Sequence, residues 1–191
     1  MITTVFMVRH AESPFKKGEE RTRGLSQKGF DDVETVTNLL IDKEIAAVVS
    51  SPYTRAIQSV ESIAKQRGLE IQTYEGLKER SIKAWDYQLP KAELLVAIQQ
   101  SLEDKDYCLR GGETIKEAQE RSLPIVKELL KKYKGEAIVI GTHGSIMTSI
   151  LNGFDEQFGF AFWQSTTKPD IYKLQFKDEQ LLQVERLWQG D

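Results

Sequence analysis

Five side chains in this sequence can hold and transfer an anion: Arg9 and His10, adjacent near the start, then Arg55, Glu79 and His143. His10 and His143 are the only histidines. A neutral imidazole is a competent nucleophile near pH 7, and it can also orient a bound oxyanion. Arginine forks bind phosphate or carboxylate bidentately, so arginines near histidines point to an anionic ligand. A carboxyl in the same neighbourhood supplies an acid or base. The rival chemistry is a metal site. Zinc needs three or four protein ligands, and with Cys108 the sole cysteine the remainder would be carboxylates. Arg9 beside His10 opposes a dication, so no metal is expected.

These residues are far apart in sequence, and the elements between them must bring them together. "TVFMV" (Thr4 to Val8) has the apolar, β-branched character of a buried strand and stops at Arg9-His10. "IAAVVS" (Ile45 to Ser50) is a second such strand. After it Pro52 suits the first turn of a helix running to Gly68, with Arg55 in that turn. "EIQTY" is a short third strand, followed by the loop that carries Glu79. "AIVIGTH" is a fourth, ending at His143, with a helix expected from Gly144 to Leu151. Strands alternating with helices predict an α/β fold with a mostly parallel sheet covered on both faces. In such sheets ligands bind beyond the carboxyl ends of the strands, and every candidate residue falls at that end. Gly144 would let an anion approach the backbone at a helix start.

The remaining elements are a helix from about Gln27 to Asp42, one from Pro90 to about Leu102, and a long one from Glu113 to Tyr133. In the first, Phe30, Val33, Val36, Leu40 and Ile41 fall mainly on one face. Pro124 is expected to kink or split the third, because it lacks an N–H. "DIYKLQF" and "LLQVERLW" read as a C-terminal hairpin turning at Lys177-Asp178-Glu179.

The 191 residues favour one domain, 1–191, and the formal net charge of −3 gives no reason to expect nucleic acid or an acidic membrane as a partner. The apolar run near Met1 is too short for a signal peptide or a membrane span. One cysteine excludes an intrachain disulfide, and a reducing, cytoplasmic setting is the simplest expectation. "LLQVERLW" could pair across a homodimer or close the sheet's own edge.

"RHAES", "SSPYTRAIQS", "LKER", "GGET" and "GTHG", in this order, resemble the signature of the histidine phosphatase superfamily, which includes cofactor-dependent phosphoglycerate mutases. The resemblance spans Val5 to about Ser145 and implies a three-layer α/β/α sandwich. It implies that His10 attacks phosphorus to form a phosphohistidine that water hydrolyses. Arg9, Arg55 and His143 would hold the phosphoryl oxygens, and Glu79 would protonate the leaving oxygen and later help activate water. Ser13 is either a further phosphate ligand or a loop-turn residue. No cofactor is implied.

The sequence departs from the family pattern in two places. Many relatives place an asparagine where Lys16 stands, and phosphoglycerate-active ones continue the acid's loop with a glycine and Trp-Glu-Gly where this chain has Lys83 and Trp85-Asp86-Tyr87. Lys16, Lys17, Arg21, Arg23, Arg80 and Lys83 lie in the two loops expected to rim the site, and any that reach the substrate favour one with extra negative charge. Arg121 reads as a structural ion-pair partner. The expected activity is a metal-independent phosphatase acting on a phosphorylated small molecule or phosphoprotein. The alternatives are a phosphoglycerate mutase and a phosphate-binding module without turnover.

Overall fold

The computed structural model describes residues 1–190. β1 (Ile2–Arg9) sends Val5 and Met7 into one core and Phe6 and Val8 into another. Successive strand side chains point to opposite faces, so a strand apolar at every position must be covered on both. β4 (Ala137–Thr142) divides the same way, Ile138 and Ile140 from Val139. With β2 (Ala47–Ser50), β3 (Ile71–Thr73), β5 (Asp170–Lys177) and β6 (Gln180–Arg186) they form one sheet in the order β3-β2-β4-β1-β5-β6. The first four of these strands are mutually parallel; β5 runs antiparallel to β1, and β6 closes a hairpin on it.

Helices cover both faces, giving the three-layer α/β/α sandwich. α1 (Gln27–Leu39) and α2 (Thr54–Gln66) pack Val36, Val60 and Ile63 against Phe6 and Val8. α4 (Ile115–Lys132) and α5 (Gly144–Phe154) pack Ala118, Val126, Ile146 and Ile150 against Val5 and Met7. α3 (Lys91–Glu103) and α6 (Phe160–Ser165) meet away from the sheet, around Ile82, Ala97 and Ile98. None of the helices is long and apolar enough to cross a membrane.

Several local features differ from the sequence reading. α1 ends at Leu39, and Phe30 and Ile41 face solvent while Gly29, Val33, Val36 and Thr37 are buried. Gly29 explains the rotation: a Cβ there would lie 2.4 Å from the Glu12 carbonyl oxygen, so the helix start presses Gly29, not Phe30, against the chain leaving β1. α2 begins at Thr54 with Tyr53 as its N-cap, so Pro52 precedes the first turn. α4 runs unbroken through Pro124, because buried Ser122, Val126, Leu129 and Leu130 hold both halves to one sheet face. α6 was not legible in the sequence.

α4 starts with a capping box. The Thr114 hydroxyl accepts from the Glu117 amide at 3.1 Å, and the Glu117 carboxylate accepts from the Thr114 amide at 2.9 Å. Thr114→Ala should lower stability by about 1 kcal/mol and the melting temperature by roughly 2–4 °C. Thermal denaturation followed by circular dichroism checks this, and an unchanged midpoint would remove the box from the account of how α4 is held.

Candidate active site

β1, β2 and β4 deliver the site from their carboxyl ends. Sheet pairing continues one residue past β1, where the His10 amide donates to the Thr142 carbonyl at 2.9 Å. His10 is 3% exposed. Its Nδ1 lies 2.7 Å from the Ala11 carbonyl oxygen. A carbonyl only accepts, so this bond places the proton on Nδ1 and leaves a lone pair on Nε2. The Arg55 Nε–H donates to that Nε2 at 3.3 Å. Burial holds the His10 pKa well below the ordinary histidine range; Arg55, Arg9 and Lys168 push it the same way, against the Ala11 carbonyl.

His143, the N-cap of α5, is fully buried, with its ring centroid 5.2 Å from that of His10. Its Nε2 is 2.7 Å from the Ser51 hydroxyl, and its buried Nδ1 has no partner among the described residues. Burial, the largest cause, holds its pKa well below the ordinary histidine range as well, and the neighbouring His10 ring and the Arg55, Arg23 and Arg9 charges oppose its protonation. Tyr53 packs its ring edge against His143 and lies under the Arg55 guanidinium at 5.0 Å.

Arg9 donates from Nη1 to the carbonyl (3.1 Å) and the hydroxyl of Thr166, and its buried Nε is unpartnered among the described residues. Gly144 is required beside it, because a Cβ there would lie 2.8 Å from the Arg9 Cζ. Arg55, 1% exposed, gives Nη1 to the Glu20 carbonyl and Nη2 to the Glu20 carboxylate, each at 2.5 Å. The carboxylate partner of Arg55 is therefore Glu20.

Glu79 lies against the amino end of α5. Its Oε1 accepts from the Ile146 and Arg80 amides at 2.9 Å each, and its Oε2 from the Ser145 amide at 3.3 Å. The loop that carries it is zipped to the stretch leading through "GGET" by Leu109 N–Ile82 O, Ala84 N–Arg110 O and Glu113 N–Ser81 O hydrogen bonds. Arg121 locks the same junction, pairing with Glu113 and donating to the Gly76 and Lys78 carbonyls at 2.7 and 3.0 Å. A cleft of about 400 Å³ opens beside Glu79, bounded by Tyr53, Ser81, Trp85, Gly111 and Glu113. A cleft of similar size, about 390 Å³, lies at the opposite ends of β1, β2 and β4, and its only ionisable side chains are Glu44 and Glu136.

Of the six rim cations, Arg23 alone turns into the centre; it donates to the Ser13 carbonyl (2.8 Å) and hydroxyl (2.7 Å) and pairs with Glu20. Ser13 thus braces Arg23, and its own hydroxyl donates to Gly24 O at 2.7 Å. Lys16 is exposed and pairs weakly with Glu19 at 3.7 Å. Arg21 pairs with Glu75 at the surface. Arg80, expected on the rim, is buried, with its Nε bonded to the Glu113 carbonyl at 3.0 Å.

The sequence reading missed four residues: Glu20, Thr166, Lys168 and Asp170. Asp170 is opposite Arg9 in the β1–β5 register and is fully buried. It anchors the Thr166–Pro169 loop through the Thr167 amide at 3.0 Å and Arg186 at 2.9 Å. An aspartate opening an apolar strand was the available signal. Lys168 reaches the same electrostatic environment: desolvation lowers its pKa, helped by Arg9 and Arg23.

The family model described as histidine phosphatase superfamily (branch 1) matches residues 5–187. Phosphoglycerate mutase-like protein 4 of Arabidopsis thaliana is 28% identical over 159 residues, covering 76% of this chain and 68% of that protein. The metal-independent phosphoserine phosphatase of the same plant is 26% identical over 162 residues, 78% of this chain and 67% of that one. Among solved structures, a mycobacterial glucosyl-3-phosphoglycerate phosphatase superposes with a TM-score of 0.75 over 98% of both chains at 18% identity. That likeness is one of fold.

The two buried imidazoles make stability depend on pH. Each folded-state pKa is depressed, so between that value and the unfolded value of about 6.5 the unfolded chain binds more protons, and stability falls as pH drops through this window. The slope should approach about 1.4 kcal/mol per pH unit for each histidine. Urea denaturation from pH 7.5 to 5 should show it, with a shallower slope in His143→Gln; an identical slope in the variant would contradict the assignment.

Proposed function

Because the chain belongs to the histidine phosphatase superfamily, we propose that it is a metal-independent phosphomonoesterase working through a phosphohistidine at His10. The observation that carries this is the unprotonated Nε2 of His10, fixed by Nδ1–H on the Ala11 carbonyl and touched only by a long 3.3 Å bond from Arg55 Nε. Nε2 attacks phosphorus in line as the ester P–O bond breaks, and the leaving oxygen takes a proton from Glu79. The Ala11 carbonyl then stabilises the proton retained on Nδ1, now that the ring carries positive charge. Water attacks the phosphoryl group, Glu79 accepts its proton, and the N–P bond breaks to restore neutral His10. Splitting the displacement in two suits a nucleophile held unprotonated by burial and by nearby cations.

The charge developing on the phosphoryl oxygens is met by fixed donors, and in a low-dielectric site such donors are worth far more than in water. Arg9 Nε and His143 Nδ1, buried and unpaired, are the polar atoms a phosphoryl oxygen would satisfy. Arg55 supports the same face from its bond to His10 Nε2. Oε2 of Glu79, held by one longer bond of 3.3 Å, is the oxygen suited to carry the proton. The cleft beside Glu79, rimmed by exposed Trp85, supports hydrolysis over mutase chemistry, since a mutase must keep its intermediate enclosed. Arg23 and Lys168 favour a small phosphomonoester with a second anionic group. The metal-independent phosphoserine phosphatase among the similar proteins supports that choice, as its named substrate carries a carboxylate.

Hydrolysis of an aryl phosphate should persist in excess chelator and vanish in His10→Ala. Activity that survives this substitution would remove the phosphohistidine route, and activity lost to chelator alone would remove metal independence. Glu79→Gln should slow esters with poor leaving groups by about 10²–10⁴-fold while sparing good ones. A rate series across phenols of different acidity tests this, and uniform slowing would end the acid assignment.

A further inference from the structure

Glu20 sits in the charged loop "KKGEERTRG", where its neighbour Glu19 is exposed and holds only Lys16. Its own side chain is 16% exposed and turned inward. There it bridges two guanidinium groups. Arg55 Nη2 donates to Oε1 at 2.5 Å, while Arg23 Nε and Nη2 donate to the two carboxylate oxygens at 3.2 Å each. The Glu20 carbonyl takes Arg55 Nη1 as well, at 2.5 Å.

With Nε on His10, each of the three nitrogens of Arg55 has a partner, and two of the three partners belong to Glu20. Arg23 is equally occupied, with two nitrogens on Glu20 and the third on Ser13. A phosphoryl group arriving at His10 Nε2 must share both guanidinium groups with Glu20, which already takes one N–H from each Nη of Arg55 and two from Arg23. It must also approach a carboxylate of its own sign, and like charges at close range in a partly buried site repel by an amount well above RT.

We propose that Glu20 is a positioning residue and the internal counter-anion of the phosphate pocket. Its carboxylate orients Arg55 and Arg23 before substrate binds and competes with phosphate for them, which speeds release of the product ion. A fixed partner is what keeps a buried guanidinium in one geometry, since an unpaired buried charge is strongly unfavourable. The same partner limits how tightly inorganic phosphate can be retained. The competition rests on the phosphate-binding half of the reading above and the positioning role on its turnover half.

The test is direct titration of inorganic phosphate into the full chain at pH 7 and fixed ionic strength, by calorimetry, for wild type, Glu20→Gln, Glu20→Asp and Glu20→Ala. Gln keeps an acceptor for Arg55 and removes the charge, so phosphate should bind about tenfold more tightly, equivalent to ~1.4 kcal/mol. Asp keeps the charge and should stay within about threefold of wild type. Ala removes both charge and acceptor, and its kcat with an aryl phosphate should fall about tenfold below that of Gln. Equal or weaker phosphate binding in Gln, or the same tightening in Gln and Asp, overturns the competition. Equal kcat in Ala and Gln overturns the positioning role. Binding by Gln where wild type shows none supports the proposal, and no binding by any variant overturns it. Should Gln fail to fold, tightening in Ala but not in Asp supports the competition, and its absence overturns it. A protein that binds phosphate as expected without hydrolysing esters would sink the proposed activity and the positioning role with it, while leaving the competition for phosphate standing.

Discussion

Placing several positive charges beside two imidazoles at the buried end of a sheet is the constraint on which the rest of this structure depends. A buried guanidinium is stable only when its donors are met, and unlike lysine it cannot shed its charge. Arg55 meets the requirement with Glu20; Arg9 meets it in part, with Thr166 and the nearby charges of Glu79 and Asp170, its Nε having no partner among the described residues. The histidines take the other course: burial and adjacent cations keep both neutral. The outcome is a site rich in positive charge in which His10 keeps an unprotonated Nε2.

This arrangement explains why loops remote from His10 are tightly fastened. Asp170 ties down the loop that supplies Thr166, and through it the position of Arg9. Arg121 and Glu113 fasten the junction that carries Glu79 to the start of α5. Gly144 lets α5 begin directly against the Arg9 guanidinium. Each contact holds a charged group to a rigid element, as preorganised electrostatic stabilisation requires.

The legible parts of the fold were those with a strong local signature. Three apolar runs with β-branched residues gave β1, β2 and β4, and the period-2 pattern before and after Lys177-Asp178-Glu179 gave the hairpin. Burial on both faces makes such runs hard to mistake. Less reliable were the readings in which packing overrides propensity. Phe30 looks like a core residue until Gly29 is pressed against Glu12 O, and Pro124 looks like a break until both halves of α4 are held to one sheet. α6 is short and packs largely on α3 and on aromatic side chains, with no period long enough to read.

The sequence by itself determined the ingredients of the site. Two histidines, two arginines and a glutamate each fall at or just after the end of a strand, and a parallel sheet has only one carboxyl edge on which they can meet. Tertiary structure alone decided which charged residues share that edge and in what protonation state. Glu20, Arg23 and Arg80 lie in stretches of similar charge density, yet Glu20 and Arg23 turn into the centre and Arg80 braces a loop. Charge in a loop has no periodicity, so its direction is set by whichever buried partner is within reach. The neutral state of the histidines was equally invisible, because it follows from burial and from cations brought in from four separate segments of the chain.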